Sequence, residues 1–124
     1  MKILVVDDER DVKILFQQRF RKEIRNGELQ FVFAFSGVDA LNVMKTMDQE
    51  SVLVLSDINM PGMTGLELLK TIKKNYVKPS PVVMIITAYV DEENRNTAKN
   101  LGADDYLTKP VDFALLKNKL KELT

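Results

Sequence analysis

The sequence contains no cysteine, no histidine and no tryptophan. Without cysteine there is no disulfide, no thiol nucleophile and no thiolate metal site. Without histidine there is no imidazole base, which excludes Ser-His-Asp chemistry and the usual tetrahedral zinc sites. Glycine and proline are sparse, at five and four residues in 124, and no glycine-rich phosphate loop occurs. No apolar run approaches membrane-spanning length, so no membrane association is expected. Neither sign of charge is in excess: Lys+Arg and Asp+Glu number 18 each. That balance argues against nucleic acid as the main partner, because phosphate-backbone binding normally needs a basic excess or stripe. Met1 to Val6 run straight into acids, unlike a secretory signal, and a cytoplasmic address is the default expectation. Any chemistry must come from carboxylates, hydroxyls, amines and an oxygen-seeking metal.

What is present reads as one globular domain over residues 1–124, with enough length for a single proper core. Short apolar runs alternate with longer amphipathic stretches. Ile3-Leu4-Val5-Val6, Leu29 to Phe35, Val52-Leu53-Val54-Leu55, Val82 to Ile86 and Tyr106-Leu107 read as strands. Between them lie helical patterns. The first starts at Asp11 and carries Val12, Leu15, Phe16, Phe20 and Ile24 on one face, with Asn26-Gly27 as its stop. The second follows Ser36 as N-cap and carries Ala40, Leu41, Val43, Met44 and Met47. The third carries Leu66, Leu68, Leu69 and Ile72, the fourth runs from Asp91 to Leu101, and the fifth from Phe113 to Leu123. Strands alternating with helices of this size imply βα units, a parallel sheet and helices on both of its faces.

Asp7-Asp8, Asp57, Thr87 and Lys109 each lie just beyond the C-terminal end of an expected strand. In an open parallel sheet those ends share one edge, where ligands bind. The spacing therefore predicts three carboxylates, a hydroxyl and an ammonium facing one another. Taken singly, an Asp at a strand–helix junction is often only a cap, and a lone Lys a solvated charge; their common address is what points to a site. Clustered carboxylates repel and call for a cation, and oxygen donors alone select a hard one, Mg²⁺ before Ca²⁺ or Mn²⁺. An ammonium and a hydroxyl beside it suit phosphoryl oxygens.

These residues carry a resemblance. Ile3-Leu4-Val5-Val6-Asp7-Asp8-Glu9, Ser56-Asp57-Ile58-Asn59-Met60-Pro61-Gly62-Met63-Thr64-Gly65, Ile86-Thr87-Ala88 and Gly102-Ala103-Asp104-Asp105-Tyr106-Leu107-Thr108-Lys109-Pro110 stand in order along the whole chain. In that order and spacing the chain resembles the receiver domain of two-component response regulators, and is similar to the single-domain chemotaxis-type regulators. The resemblance implies a flavodoxin-like α/β fold: a doubly wound, five-stranded parallel sheet of order 2-1-3-4-5, flanked by five helices.

It also implies roles. Asp57 would be the phosphoacceptor, attacking the phosphorus of a phosphohistidine on a sensor histidine kinase or phosphotransfer protein. Asp8 would bind Mg²⁺ directly and Asp7 mainly through water, with Asp57 and the backbone carbonyl of Asn59 completing the set. Thr87 and Lys109 would each take a phosphoryl oxygen, and Tyr106 would change rotamer as Thr87 moves. The fourth helix, fifth strand and last helix would form the output face, read by a downstream protein or an attached output domain, with a phosphorylation-dependent homodimer as a further expectation. Such a domain catalyses only its own phosphorylation and dephosphorylation and is not an enzyme in the ordinary sense. Lys109-Pro110 is usually cis in the family, against about 5–6% for an X–Pro bond in general. Gly65 would permit close approach near the third helix. Two departures are Val111, where Phe is common, and Ser56, where an apolar or acidic residue is frequent.

Two readings concern this sequence in particular. The fourth helix, with Asn94, Asn96, Thr97 and Asn100, is a weak helix former with an apolar seam of only Val90, Ala98 and Leu101. Tyr89 would stand at the pocket mouth and shield an acyl phosphate from water. Two other functions fit a similar sheet. An aspartyl phosphohydrolase commonly has a second carboxylate shortly after its nucleophile, and Ile58-Asn59-Met60-Pro61 offers none. A flavin binder would set its phosphate against three acids.

Overall fold

The computed structural model describes residues 1–47, 52–77, 80–88 and 91–123; Tyr89 and Val90 lie outside the described residues. In chain order the elements are β1 (Lys2–Val6), α1 (Asp11–Arg19), α2 (Arg21–Arg25), β2 (Gln30–Ala34), α3 (Gly37–Met44), β3 (Val52–Ser56), α4 (Gly65–Asn75), β4 (Val82–Thr87), α5 (Glu92–Asn100), β5 (Asp105–Thr108) and α6 (Phe113–Glu122). The five strands form one sheet in the order β2-β1-β3-β4-β5, and every pairing is parallel. Parallel strands buried on both faces read as continuous apolar runs, which explains why Ile3 to Val6 and Leu53 to Leu55 show no alternation.

The sheet separates two cores. Leu4, Val6, Val54 and Ile85 point to one face, where Leu68, Leu69 and Ile72 of α4 meet Ala40 and Met44 of α3. Ile3, Val5, Leu53 and Leu55 point to the other, where Phe16 and Phe20 meet Leu116 and Leu120 of α6. Each large apolar side chain buried this way contributes about 2 kcal/mol relative to exposure. Local signals set the helix starts. Ser36 accepts from the Asp39 N–H, Asp112 from Leu115, and Thr64 and Glu67 form a reciprocal capping box at the start of α4. Asn26 caps α2 and Gly27 turns the chain away with a φ of +74°.

The structure differs from the sequence reading in the first helix, so that six helices flank the sheet among the described residues. Phe20 leaves helical geometry at φ −107° and ψ 19°, dividing the run into α1 and α2, although the backbone bonds Phe20 N to Phe16 O and Ile24 N to Phe20 O still cross the break at 2.9 Å. The cause is aromatic packing. The Phe20 ring is fully buried, 5.0 Å from Phe31 and 5.8 Å from Phe113 between centroids, and the bend turns it onto the sheet. The expected stripe is also incomplete at its edges: Leu15 and Ile24 are each 38% exposed. In the next helix, α3 stops at Met44, and Met47 packs on the core from the turn that follows.

No helix among the described residues is long and apolar enough to cross a membrane. The helix expected to be weak is α5. It places only Ala98 in the core, with Leu101 partly buried after it. Its first turn is held by Asp91, which accepts from the Glu93 N–H and sets negative charge at the positive end of the helix dipole. Native-state amide exchange should therefore show α5 opening locally, with protection well below that of β1 and β3, whereas protection equal to the central strands would show a helix fixed by the core.

Candidate functional site

Each strand ends by handing the chain to the sheet's C-terminal edge. The Asp7 N–H donates to the Ala34 carbonyl of β2 at 3.1 Å, the Asp57 N–H to Val6 of β1 at 3.0 Å, and the Lys109 N–H to Thr87 of β4 at 2.9 Å. The sheet ladder thus continues one residue past the strands and fixes the backbone of three chemical residues. The carboxylates of Asp7, Asp8 and Asp57 come together, with one oxygen from each within 4.8 Å of the other two. Asp7 and Asp57 are buried, while Asp8 is exposed.

The Lys109 ammonium lies between the two buried acids, 2.8 Å from Asp7 Oδ2 and 3.2 Å from Asp57 Oδ2. Burial works to lower the Lys109 pKa, but the hydrogen bond and charge of Asp7, joined by those of Asp57, outweigh it and hold the ammonium above the usual lysine value. The remaining oxygens are served by backbone: Glu9 N–H donates to Asp7 Oδ1 at 2.9 Å and Ile58 N–H to Asp57 Oδ1 at 2.7 Å. The peptide bond that presents Lys109, between Lys109 and Pro110, is cis.

The loop after Asp57 is clamped in turn. Gly62 takes a φ of +77°, open only to glycine without strain. The Gly65 N–H donates to the Ile58 carbonyl at 2.8 Å. A Cβ at Gly65 would collide with the Asp57 carbonyl oxygen and the Ile58 Cα, so a side chain there would push on the backbone that carries Asp57. The Ser56 hydroxyl donates to that same Asp57 carbonyl at 2.9 Å and is buried.

Of the residues expected at the site, Asp7, Asp8, Asp57 and Lys109 are brought together. Thr87 is fully buried and shares their edge, because Ser56 pairs with Ile85 and Thr87 with Thr108. Its strand end stands between those that carry Asp57 and Lys109. Asn59 is exposed on the following loop. Tyr106 sits deeper, opposite Ile85 in the sheet, partly buried against the core, with the Arg95 guanidinium 5.7 Å from its ring centroid. Tyr89 lies outside the described residues. Two features escaped the sequence. One is the direct bridge from Lys109 to Asp7, whose only signal was the shared strand-end address. The other is Ser56, visible only as an unusual residue. Val111 lines an apolar cavity of about 180 Å³ beneath the Lys109–Pro110 turn, walled also by Val12, Phe16 and Ile86 and bordered by Asp57 and Lys109.

This fold and this edge define a family. The sequence model of the response regulator receiver domain matches residues 3–121, and the chain belongs to that family. A CheY-like response regulator receiver domain protein from Methanospirillum hungatei JF-1 superposes with a TM-score of 0.83 at 30% identity, covering 98% of this chain and 91% of its own. The response regulator TrrA from Thermotoga maritima, solved in complex with Mg²⁺ and beryllium fluoride, is 32% identical with a TM-score of 0.78, over 99% and 98% of the two chains. The signal receiver domain of an HD domain-containing protein from Pseudomonas fluorescens Pf-5 gives 0.86 at 28% identity, over 98% and 91%.

Replacing Lys109 by Met leaves two buried carboxylates without their counter-charge. The variant should lose about 3 kcal/mol of stability in chelator. Added Mg²⁺ should raise its melting temperature more than that of the unaltered protein, since the cation no longer competes with an ammonium. Equal Mg²⁺ shifts in thermal denaturation would show that Lys109 and the cation do not share these oxygens.

Proposed function

We propose that the chain accepts a phosphoryl group on Asp57 and passes that event on as a change of surface. The observation that supports this most is the placement of Asp57: a buried carboxylate within ligand distance of two further acids, with an ammonium on its outer oxygen. In this reading one Asp57 oxygen attacks the phosphorus of a phosphohistidine on a sensor histidine kinase or phosphotransfer protein. The P–N bond breaks, the imidazole leaves with the bonding pair, and an acyl phosphate forms. The donor set fits Mg²⁺: hard carboxylate oxygens with no nitrogen or sulfur among them. Asp8, Asp57 and the Asn59 carbonyl would hold it, with Asp7 through water, and when bound it neutralises charge on the transferring group.

The residues of the chain do the rest. Backbone N–H groups of Glu9 and Ile58 fix the two buried acids in place. Lys109 leaves Asp57 Oδ2 for a phosphoryl oxygen while keeping Asp7 in reach, and Thr87 offers its hydroxyl to another. Movement of Thr87 makes room beside Tyr106, whose ring turns from Arg95 toward the sheet and alters the α5–β5–α6 surface. A downstream protein or an attached output domain reads that surface. No turnover of a foreign substrate is part of this function.

The test is intact mass after incubation with acetyl phosphate and Mg²⁺. One phosphoryl group should be gained, and none when EDTA replaces Mg²⁺ or in Asp57→Asn. A gain that survives Asp57→Asn, or that needs no divalent cation, would contradict the assignment.

A further inference from the structure

The balanced total charge conceals a strong local excess at the opposite end of the molecule. Glu28 and Leu29, just before β2, and the C-terminal halves of the α1–α2 run and α6 lie at the N-terminal edge of the sheet, away from the acids. Two adjoining clefts open there, of about 600 and 740 Å³, sharing Lys22, Glu23, Lys117 and Lys121. The larger is lined by six cations, Arg19, Arg21, Lys22, Arg25, Lys117 and Lys121, against a single acid, Glu23. That acid is already matched, since Lys117 lies 3.2 Å from its Oε2. Arg21, Lys22 and Arg25 are exposed and make no ion pair among the described residues. A third of the chain's basic residues thus converge on one concave surface, where low-dielectric walls strengthen the field they produce.

We propose that the α2–α6 groove docks an acidic, partly apolar peptide segment of a partner protein. Charge complementarity sets the sign of the partner. Two observations favour a peptide over a nucleic acid. The smaller cleft adds the partly buried Leu29 beside the cations, above the buried Phe20 and Leu120, which suits a Leu anchor next to carboxylates. No exposed aromatic lines either cleft for bases to stack on. This surface is separate from the phosphoacceptor edge and from α5–β5.

The experiment is fluorescence anisotropy with a labelled peptide of alternating Glu and Leu. A Gln/Leu peptide and a labelled oligothymidylate run in parallel. Arg21→Glu with Arg25→Glu should weaken the Glu/Leu peptide at least about tenfold, and salt should weaken it further. Lys70→Glu with Lys74→Glu, exposed on α4 and equal in charge change, should leave it unchanged. Circular dichroism melts of both double variants confirm that they fold. Equal loss in the two double variants would reduce the effect to net charge. Equal binding of the Gln/Leu peptide, tighter binding of the oligothymidylate, or no binding of the Glu/Leu peptide would each overturn the proposal.

Discussion

The Lys109 ammonium, held between the carboxylates of Asp7 and Asp57 at 2.8 and 3.2 Å, is the contact on which the site depends. Two acids this close and this buried would otherwise repel across a low-dielectric gap. The bridge joins the first, third and fifth strands at one edge, so it closes the fold and charges the site at once. It also leaves the arrangement responsive. A cation or a phosphoryl group that enters must share or replace the ammonium, and whatever displaces Lys109 acts on the turn that ends β5.

The surrounding backbone makes that bridge possible. Ladder bonds that run one residue past β1, β3 and β5 fix Asp7, Asp57 and Lys109 before any side chain is considered. Behind Asp57, Gly65 lets α4 approach so closely that no side chain fits, and the Thr64–Glu67 capping box starts that helix without a gap. The site is therefore carried by strand ends and a helix start, the rigid parts of the molecule. The α5 helix, with Ala98 as its core contact, and the Tyr106–Arg95 pair beside it are packed less deeply than this edge.

The parallel sheet and the acidic edge were legible in the sequence for a simple reason. Buried parallel strands leave continuous apolar runs such as Ile3 to Val6, and their C-terminal ends must share an edge, so Asp7, Asp57, Thr87 and Lys109 could be placed together without a contact being known. The resemblance to receiver domains added the strand order and the cis Lys109–Pro110 bond, neither of which periodicity encodes. The Phe20 bend was not legible, because it arises from rings of Phe31 and Phe113 brought in by β2 and α6. The basic groove was hidden for a related reason. Its cations come from α1 and α2 near the start of the chain and from α6 near its end, and a net charge of zero averages them against acids spread through the sequence.

The measurement that tests the account most directly is a crystal structure with Mg²⁺ and beryllofluoride, a stable mimic of the phosphoryl group. The account predicts beryllium bonded to an Asp57 carboxylate oxygen, the cation on Asp8, Asp57 and the Asn59 carbonyl, and Lys109 and Thr87 on fluorines. Lys109 still bridging Asp7 and Asp57, with the anion bound elsewhere, would contradict it.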